Sequence, residues 1–479
     1  MQGAGIPLSP TPAGFALWHP SSPWKTVRSM LGLVLLLSLI TQFTALLFSS
    51  IFDSNSNGII GPTDSELTLG SAICLTPLLM ILVYIRRPKL LQLVKASPSI
   101  EGFTQHIVDP QTVVISPMPT TIKHHIVKDS TPLEMPKSSH LWALFFGGII
   151  IAATSLMIST IFMNNVLILL LLVFIIVIPA WIIGFSTPVF AWWSASTRFF
   201  GFRLTRREGE AMLIAGMLSA LPAIVINSTL FPISINLLGV DDPMNSALGE
   251  FLTLAISAPV GEELSKAFAV LLLYSYIDSA KKGFYVGTTV GLGFALIENL
   301  TYIMTSLMDA SGILFAFTSI IRGIGSVPGH AMWTGISGYG IGHYLHKKRG
   351  FPNNKLETSW VLYDEKTRQV VSYSNQSKAI TADLPIWWMR HVGSGWKLPK
   401  SPILAILLAI SGHSFWNGSL FITSFVSERV DPVLGILAIL AWLVILIFML
   451  WYCSLRILPS LFTTTYREKS LDYGDGHTL

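Results

Sequence analysis

Ser257-Ala-Pro-Val-Gly-Glu262-Glu263-Leu-Ser-Lys266 sets two adjacent carboxylates three and four positions ahead of a lysine. Phe294-Ala-Leu-Ile-Glu298-Asn299 puts a third carboxylate and an amide into an otherwise apolar run. His330 and His413 open two copies of one pattern, Gly-His-x-x-Trp-[Thr/Asn]-Gly, over Gly329 to Gly335 and Gly412 to Gly418. Carboxylates and imidazoles are the groups that move protons, in catalysis and in transport alike. An ionisable side chain at the centre of a membrane helix costs at least about 2.5 kcal/mol, so each of these is a functional candidate by its position alone.

The bland readings are specific too. Lys266 can pair with Glu263 at i,i+3 and make a buried charge tolerable. Neighbouring helical residues point about 100° apart, so Glu262 and Glu263 are expected to diverge, one serving catalysis and the other structure. A single buried histidine is most often a packing residue. Two of them, each four residues before a hydrogen-bonding side chain on the same helix face (Thr334, Asn417), favour function. Trp333, Trp416 and the flanking glycines read as packing, and Pro259 with Gly261 predicts a kinked or unwound turn beside Glu262. Arg322 is a lone base deep in its span, with substrate, Asp309 or Glu250 as candidate partners.

These residues must be placed by membrane helices. Of the 479 residues, 51% are hydrophobic and 12% charged, about half the charged share of a water-soluble protein. Apolar runs of about twenty residues recur from Leu31 to Leu455, which predicts an all-α polytopic membrane protein of about ten spans. Cys74 and Cys453 both lie inside such runs, so neither a disulfide framework nor a cysteine zinc site is available. Lys25, Arg28, Arg86, Arg87, Lys89, Arg198, Arg203, Arg206, Arg207, Lys281, Lys282 and Lys347 to Arg349 fall on one side. The alternate connections, except for Arg429, lack Lys and Arg, so both termini are expected to be cytoplasmic and the net charge of +5 speaks of topology rather than nucleic acid. The expected organisation is a disordered tail (1–28), a four-helix region (29–205) with a cytoplasmic insert (86–140), a second membrane domain (206–456) with an insert (347–401), and a tail (457–479). Both inserts carry β-rich pieces, 112–115 and 121–127 in the first and a hairpin over 360–371 in the second, expected to form a small cap.

Depth tests whether the polar groups can meet. Glu262, Glu298 and His330 lie 14 residues from the cytoplasmic ends of their spans, and His413 lies 11 from its own. At about 1.5 Å per residue all four stand at roughly 17 to 21 Å, near one level.

The order of these motifs resembles the PrsW family of intramembrane proteases, within the wider group of CAAX-processing and bacteriocin-processing enzymes. Glu262-Glu263-Leu-Ser-Lys266 is similar to the family's EExxK, Phe294 to Asn299 to its FxxxEN, His330 to the histidine of its third motif, and His413 with Asn417 to its closing HxxxN. The resemblance covers roughly Arg206 to Leu455. It implies hydrolysis of a peptide bond in a membrane protein or peptide, within or beside the bilayer. Water must be deprotonated, an oxyanion stabilised and an amine protonated, and carboxylates, imidazoles and amides supply groups for each task. In one version Glu298, His330 and His413 hold a zinc ion (Zn2+) and Glu262 is the base. In the other no metal takes part, Glu262 activates water directly while the imidazoles hydrogen-bond to it, and Asn417 or Asn299 holds the oxyanion. Lys266 then neutralises a carboxylate. The competing class is a proton-coupled transporter using the same midplane Glu and His residues.

Overall fold

A computed structural model describes residues 23–53, 55, 57–85, 95–109, 112–124, 133–159, 173–202, 204–308, 311–349, 361–363, 370–372 and 395–462. The chain order is α1 (Pro23–Phe52), α2 (Ser65–Ile85), β1 (Lys95–Asp109), β2 (Thr112–His124), α3 (Ser138–Ser159), α4 (Ile178–Phe200), α5 (Arg206–Val225), α6 (Phe231–Leu237), α7 (Ala247–Leu252), α8 (Ala258–Leu272), α9 (Ala280–Met308), α10 (Gly312–Ile321), α11 (Val327–Arg349), β3 (Val361–Tyr363), β4 (Val370–Ser372), α12 (Pro402–Ser427) and α13 (Pro432–Ile457). Among the described residues nine helical runs are long and apolar enough to cross a membrane. The protein is an all-α, multi-pass membrane protein. The expected tenth span, Ala247 to Ile277, is a broken helical run that carries Glu250, Glu262, Glu263 and Lys266. Charge is what sets it apart from the other nine.

Residues 23 to 28 belong to α1 rather than to the expected tail, because Trp24 and Val27 extend the apolar pattern forward. The rest of that tail, and residues 463–479 of the other, lie outside the described residues. Each insert contributes an antiparallel pair, β1 with β2 and β3 with β4, in two separate two-stranded sheets. The second pair is the hairpin expected over 360–371, of which 361–363 and 370–372 are described, whereas the two β-rich pieces expected in the first insert, as far as they are described, both fall within β2.

The core lies around α9. In its most apolar stretch 72% of the residues are buried, against 6% for α2, which packs on α1 and otherwise faces outward. One buried cluster joins α1, α3, α4, α5 and the second half of α9, and another joins the first half of α9 to α8, α11, α12 and α13. Glycine makes α9 the seam. Gly287 and Gly291 lie on the Thr334 and His330 carbonyls of α11, and Gly293 lies on the Leu213 carbonyl of α5, so a Cβ at any of them would strike backbone. Gly291 therefore sets directly how close His330 comes to α9.

Among the described residues four helical runs contain a widened π turn: Val173–Val177, Ile226–Leu230, Thr253–Ser257 and Arg322–Ser326. Each ends two residues before a proline, at Pro179, Pro232, Pro259 and Pro328. Proline has no N–H to give and its ring presses on the preceding turn, so the helix opens there by one residue. The kink expected near Glu262 takes this form, upstream of Pro259 rather than at Gly261. Side chains take up carbonyls of these turns. Asn417 donates to Leu254 O (3.1 Å), Trp192 to Gly323 O (2.9 Å) and Trp451 to Ile324 O (3.1 Å).

Gly291→Val forces the His330 carbonyl away from α9 and is expected to cost the roughly 1–3 kcal/mol typical of overpacking, read as a lower thermal midpoint of the detergent-solubilised protein. Gly147→Ala, where a Cβ meets open space, serves as the control and should leave the midpoint unchanged or slightly raised.

Candidate active site

Helix α8 presents Glu262, Glu263 and Lys266, α9 presents Glu298 and Asn299, α11 presents His330 and Thr334, and α12 presents His413. Lys266 is completely buried, and its ammonium spends its three N–H donors on Glu262 Oε2 (3.0 Å), Glu263 Oε1 (2.9 Å) and His330 Nδ1 (3.0 Å). The Phe294 ring closes it from one side at 3.8 Å. The two glutamates thus converge on one cation instead of diverging. Their Cβ atoms do point apart, but i,i+3 and i,i+4 spacing lets a long lysine stem reach both carboxylates.

Their surroundings differ. Glu263 has no exposed side-chain surface and accepts from Lys266, from His413 Nδ1 (3.2 Å) and from Thr334 Oγ1 (3.3 Å). Glu262 is 9% exposed and accepts from Lys266 alone, with His413 Nε2 at 4.0 Å from the same oxygen. Glu298, 21% exposed, stands on the far side of His330. Its Oε2 lies 2.6 Å from both Arg322 Nη2 and His330 Nε2, as charge contacts rather than well-aligned hydrogen bonds.

These contacts place the ring protons. An ammonium can only donate, so His330 Nδ1 accepts from Lys266 and the proton sits on Nε2, facing the Glu298 carboxylate. His413 donates from Nδ1 to Glu263, which leaves the Nε2 lone pair toward Glu262. Each imidazole is oriented by a carboxylate behind it, as metal-binding histidines are; the inward Nε2 of His413 is free, whereas the inward Nδ1 of His330 is taken by Lys266. Trp333 stacks on His413 at 4.5 Å with planes 13° apart, and the two imidazoles meet edge to face at 5.2 Å.

One group among the described residues could hold a metal ion: donor atoms of Glu262, His330 and His413 lie within 4.8 Å of one another, all in buried residues. Two imidazoles and a carboxylate suit zinc. The charge balance is compatible as well, since three carboxylates face only Lys266 and Arg322 and leave one negative charge when both imidazoles are neutral. Glu298, placed by sequence in the ligand set, here backs His330 from outside that group.

The amides sit apart from the cluster's centre. Asn417 is committed to the Leu254 carbonyl and ties α12 to the widened turn before Glu262. Asn299 Oδ1 accepts from Arg322 Nε (2.5 Å), and its buried Nδ2 has no hydrogen-bond partner. Arg322 thereby acquires partners, Glu298 and Asn299, that its sequence context alone did not assign to it. The available signal was its place eight residues before His330 with Pro328 between them. Thr334 does share the working face of His330, through Glu263. Trp333 packs as expected, but against the imidazole of His413.

Residues 210–363 match the PrsW family of intramembrane metalloproteases. The PrsW match begins in α5, ends at β3, and includes Glu262, Glu263, Lys266, Glu298, Asn299 and His330. It stops short of the C-terminal limit near Leu455 suggested by the motifs, and His413 and Asn417 fall beyond it. His413 nonetheless stands in the same cluster as the residues inside the match. No curated protein and no solved structure matches the chain.

Lys266→Ala strands two carboxylates in an apolar interior, and removing one partner of a buried ion pair typically costs about 3–5 kcal/mol. Its folded yield and thermal midpoint should fall sharply. Lys282→Ala removes a surface pair with Asp278 and should change the midpoint by less than about 1 kcal/mol equivalent. Equal midpoints for the two variants would show that Lys266 holds no buried pair.

Proposed function

We propose that the chain is an intramembrane endopeptidase that hydrolyses a peptide bond of a membrane-associated protein, with Glu262 as the base that deprotonates the attacking water. The contrast between the adjacent carboxylates carries this reading. Both oxygens of Glu263 are occupied by donors, whereas Glu262 accepts only from Lys266 and faces the free nitrogen of His413. A base needs an unoccupied lone pair with room for water beside it, and of the two only Glu262 has both. A water between Glu262 Oε2 and His413 Nε2 donates to each and presents its own lone pair to a substrate carbonyl. The Lys266 ammonium is the fixed positive charge nearest to the developing oxyanion. Glu262 then returns its proton to the leaving amine. Glu263 keeps Lys266 and His413 in place throughout, as a structural and electrostatic group.

The PrsW description adds a metal ion, and its holders would be Glu262, His330 and His413. When bound, such an ion supplies Lewis-acid polarisation of the carbonyl and acidifies a water toward neutral pH. In that case Glu262 serves as a ligand rather than as the base. The PrsW match also favours hydrolysis over proton-coupled transport, since both uses require buried acids and imidazoles. The positive-inside pattern supports an orientation with both termini in the cytoplasm.

Glu262→Gln should keep the wild-type thermal midpoint and lose activity by about 10²–10⁴-fold on a membrane-protein substrate in proteoliposomes. Glu263→Gln should lose stability as well as activity. Full turnover by Glu262→Gln would sink the assignment of the base. Exhaustive chelation separates the two chemistries: lost activity restored by zinc supports the metal, and undiminished activity in metal-free protein supports direct activation by Glu262.

A further inference from the structure

We infer that the second half of α9 borders a water-filled cleft, lined by Glu298, Thr301, Tyr302 and Thr305, through which water reaches the polar cluster from the side opposite the cytoplasmic ends of the spans. That this water is the second reactant of a hydrolysis rests on the proposed peptidase activity; the cleft itself does not. Up to Ile297 the core-facing length of α9 is closed, but beyond it Thr301, Tyr302 and Thr305 are exposed and Glu298 is partly so. At about 100° per residue the three fall within about 60° of Glu298, so the four make one continuous polar strip. Met304 is exposed too, but about 120° round the helix from Glu298. Counted from Phe284 at about 1.5 Å per residue, Thr305 stands at roughly 31 Å, the far edge of a hydrocarbon core about 30 Å thick. The strip therefore runs from the cluster to the opposite membrane surface.

The widened turn before Pro259 accounts for the opening. One turn before Glu298 this side of α9 is covered by α8, whose Lys266 lies over the Phe294 ring. The run that leads into α8 instead leans on α12: Phe251 meets the Phe421 ring at 5.7 Å, Ala255 lies against Gly418, and the Leu254 carbonyl takes the Asn417 amide. Ser257 then donates to Asn227 Oδ1 at 2.9 Å, in the widened turn that follows α5. Among the described residues no hydrogen bond or ring contact ties 247–257 to α9, and the strip is left uncovered. Its chemistry suits water rather than acyl chains. Glu298 and Arg322 both keep exposed side-chain surface here, and a charged group bared to lipid at this depth is costly. The Arg322 guanidinium also covers the Tyr302 ring at 4.1 Å, which puts Tyr302 on the border of the same charged pair. Thr305 returns its hydroxyl to the Thr301 carbonyl (3.1 Å), the usual way to hide it in a membrane helix. The hydroxyls of Thr301 and Tyr302 have no hydrogen-bond partner among the described residues, so water is what satisfies them.

Thiol accessibility tests the cleft without any substrate. Full-length protein carrying Cys74→Ala and Cys453→Ala receives one new cysteine at a time, Thr301→Cys, Thr305→Cys or Met304→Cys, with Asn55→Cys in the α1–α2 connection as the marker of the side opposite the cytoplasmic ends. Each variant is treated in oriented membrane vesicles with a charged, membrane-impermeant methanethiosulfonate, which needs a hydrated thiolate to react. Thr301→Cys and Thr305→Cys are expected to react from the same side as Asn55→Cys, and at least about tenfold faster than Met304→Cys, whose thiol faces lipid and stays protonated. Should either threonine variant fail to fold, the other carries the same comparison with Met304→Cys. Equal rates at all three positions, or reaction from the cytoplasmic side alone, would overturn the cleft. Kinetics then test its use. Thr301→Cys should lose most of its peptidase activity once the bulky charged group is attached, and Met304→Cys treated in the same way should keep its own. Full activity of the modified Thr301→Cys protein would show that the reacting water comes by another route. A wild type that cleaves nothing, in a protein with the expected labelling pattern, would overturn the peptidase reading and uphold the cleft.

Discussion

An ammonium buried among apolar helices is stable only if every one of its donors finds an acceptor, and Lys266 meets that demand by drawing Glu262, Glu263 and His330 to within about 3 Å of a single atom. The other contacts of the site depend on this one. Glu263, fixed by the lysine, becomes the acceptor for His413 and Thr334 and so recruits α12 and α11. His330, having given its Nδ1 lone pair to the lysine, must face Glu298 with Nε2–H, and that carboxylate in turn needs Arg322. Along the chain of partners carboxylates alternate with cations, with neutral His330 standing between Lys266 and Glu298. It ends with one negative charge to spare, at a place where two imidazole nitrogens and a carboxylate already converge.

Such a cluster requires four helices at very short range, and the backbone supplies the approach. Glycines along α9 let the carbonyls of α5 and α11 come into direct contact with it, which larger residues would prevent. The widened turns before Pro259 and Pro328 then rotate α8 and α11 about their axes, aiming Glu262 and His330 at the same point. The same turns free carbonyls that would be costly to leave bare, and Asn417, Trp192 and Trp451 occupy them. Asn417, which the motif pattern casts as an oxyanion holder, thereby has a structural task between α12 and the turn before Glu262.

Adjacent glutamates with unequal surroundings are a way to divide labour within one helical turn. A carboxylate saturated with donors is a poor base but a good anchor, and its neighbour with one donor and a little exposure is the reverse. Proximity to a shared lysine keeps both ionisable groups tolerable in a setting where neither would be tolerable alone. The PrsW match covers the residues of this division on α8, α9 and α11, while α12 completes it from outside the matched segment.

The amino-acid sequence by itself determined the class of the protein, the apolar helices in outline, the second-insert hairpin, and most of the polar residues that meet, Arg322 and the outlying Asn417 apart. Those features depend on local quantities: apolar run length, strand alternation, and a rise per residue that makes depth countable from a helix end. Glu262, Glu298, His330 and His413 could be placed at one level for that reason. Only the tertiary structure decided who touches whom at that level. The convergence of Glu262 and Glu263 depends on the reach of Lys266, the place of Glu298 behind His330 depends on Arg322, and the inward nitrogen of each imidazole depends on the carboxylate behind it. These are matters of helix rotation and side-chain torsion, and they are set by glycine contacts and widened turns between segments far apart in the chain, which no count along a single helix can register.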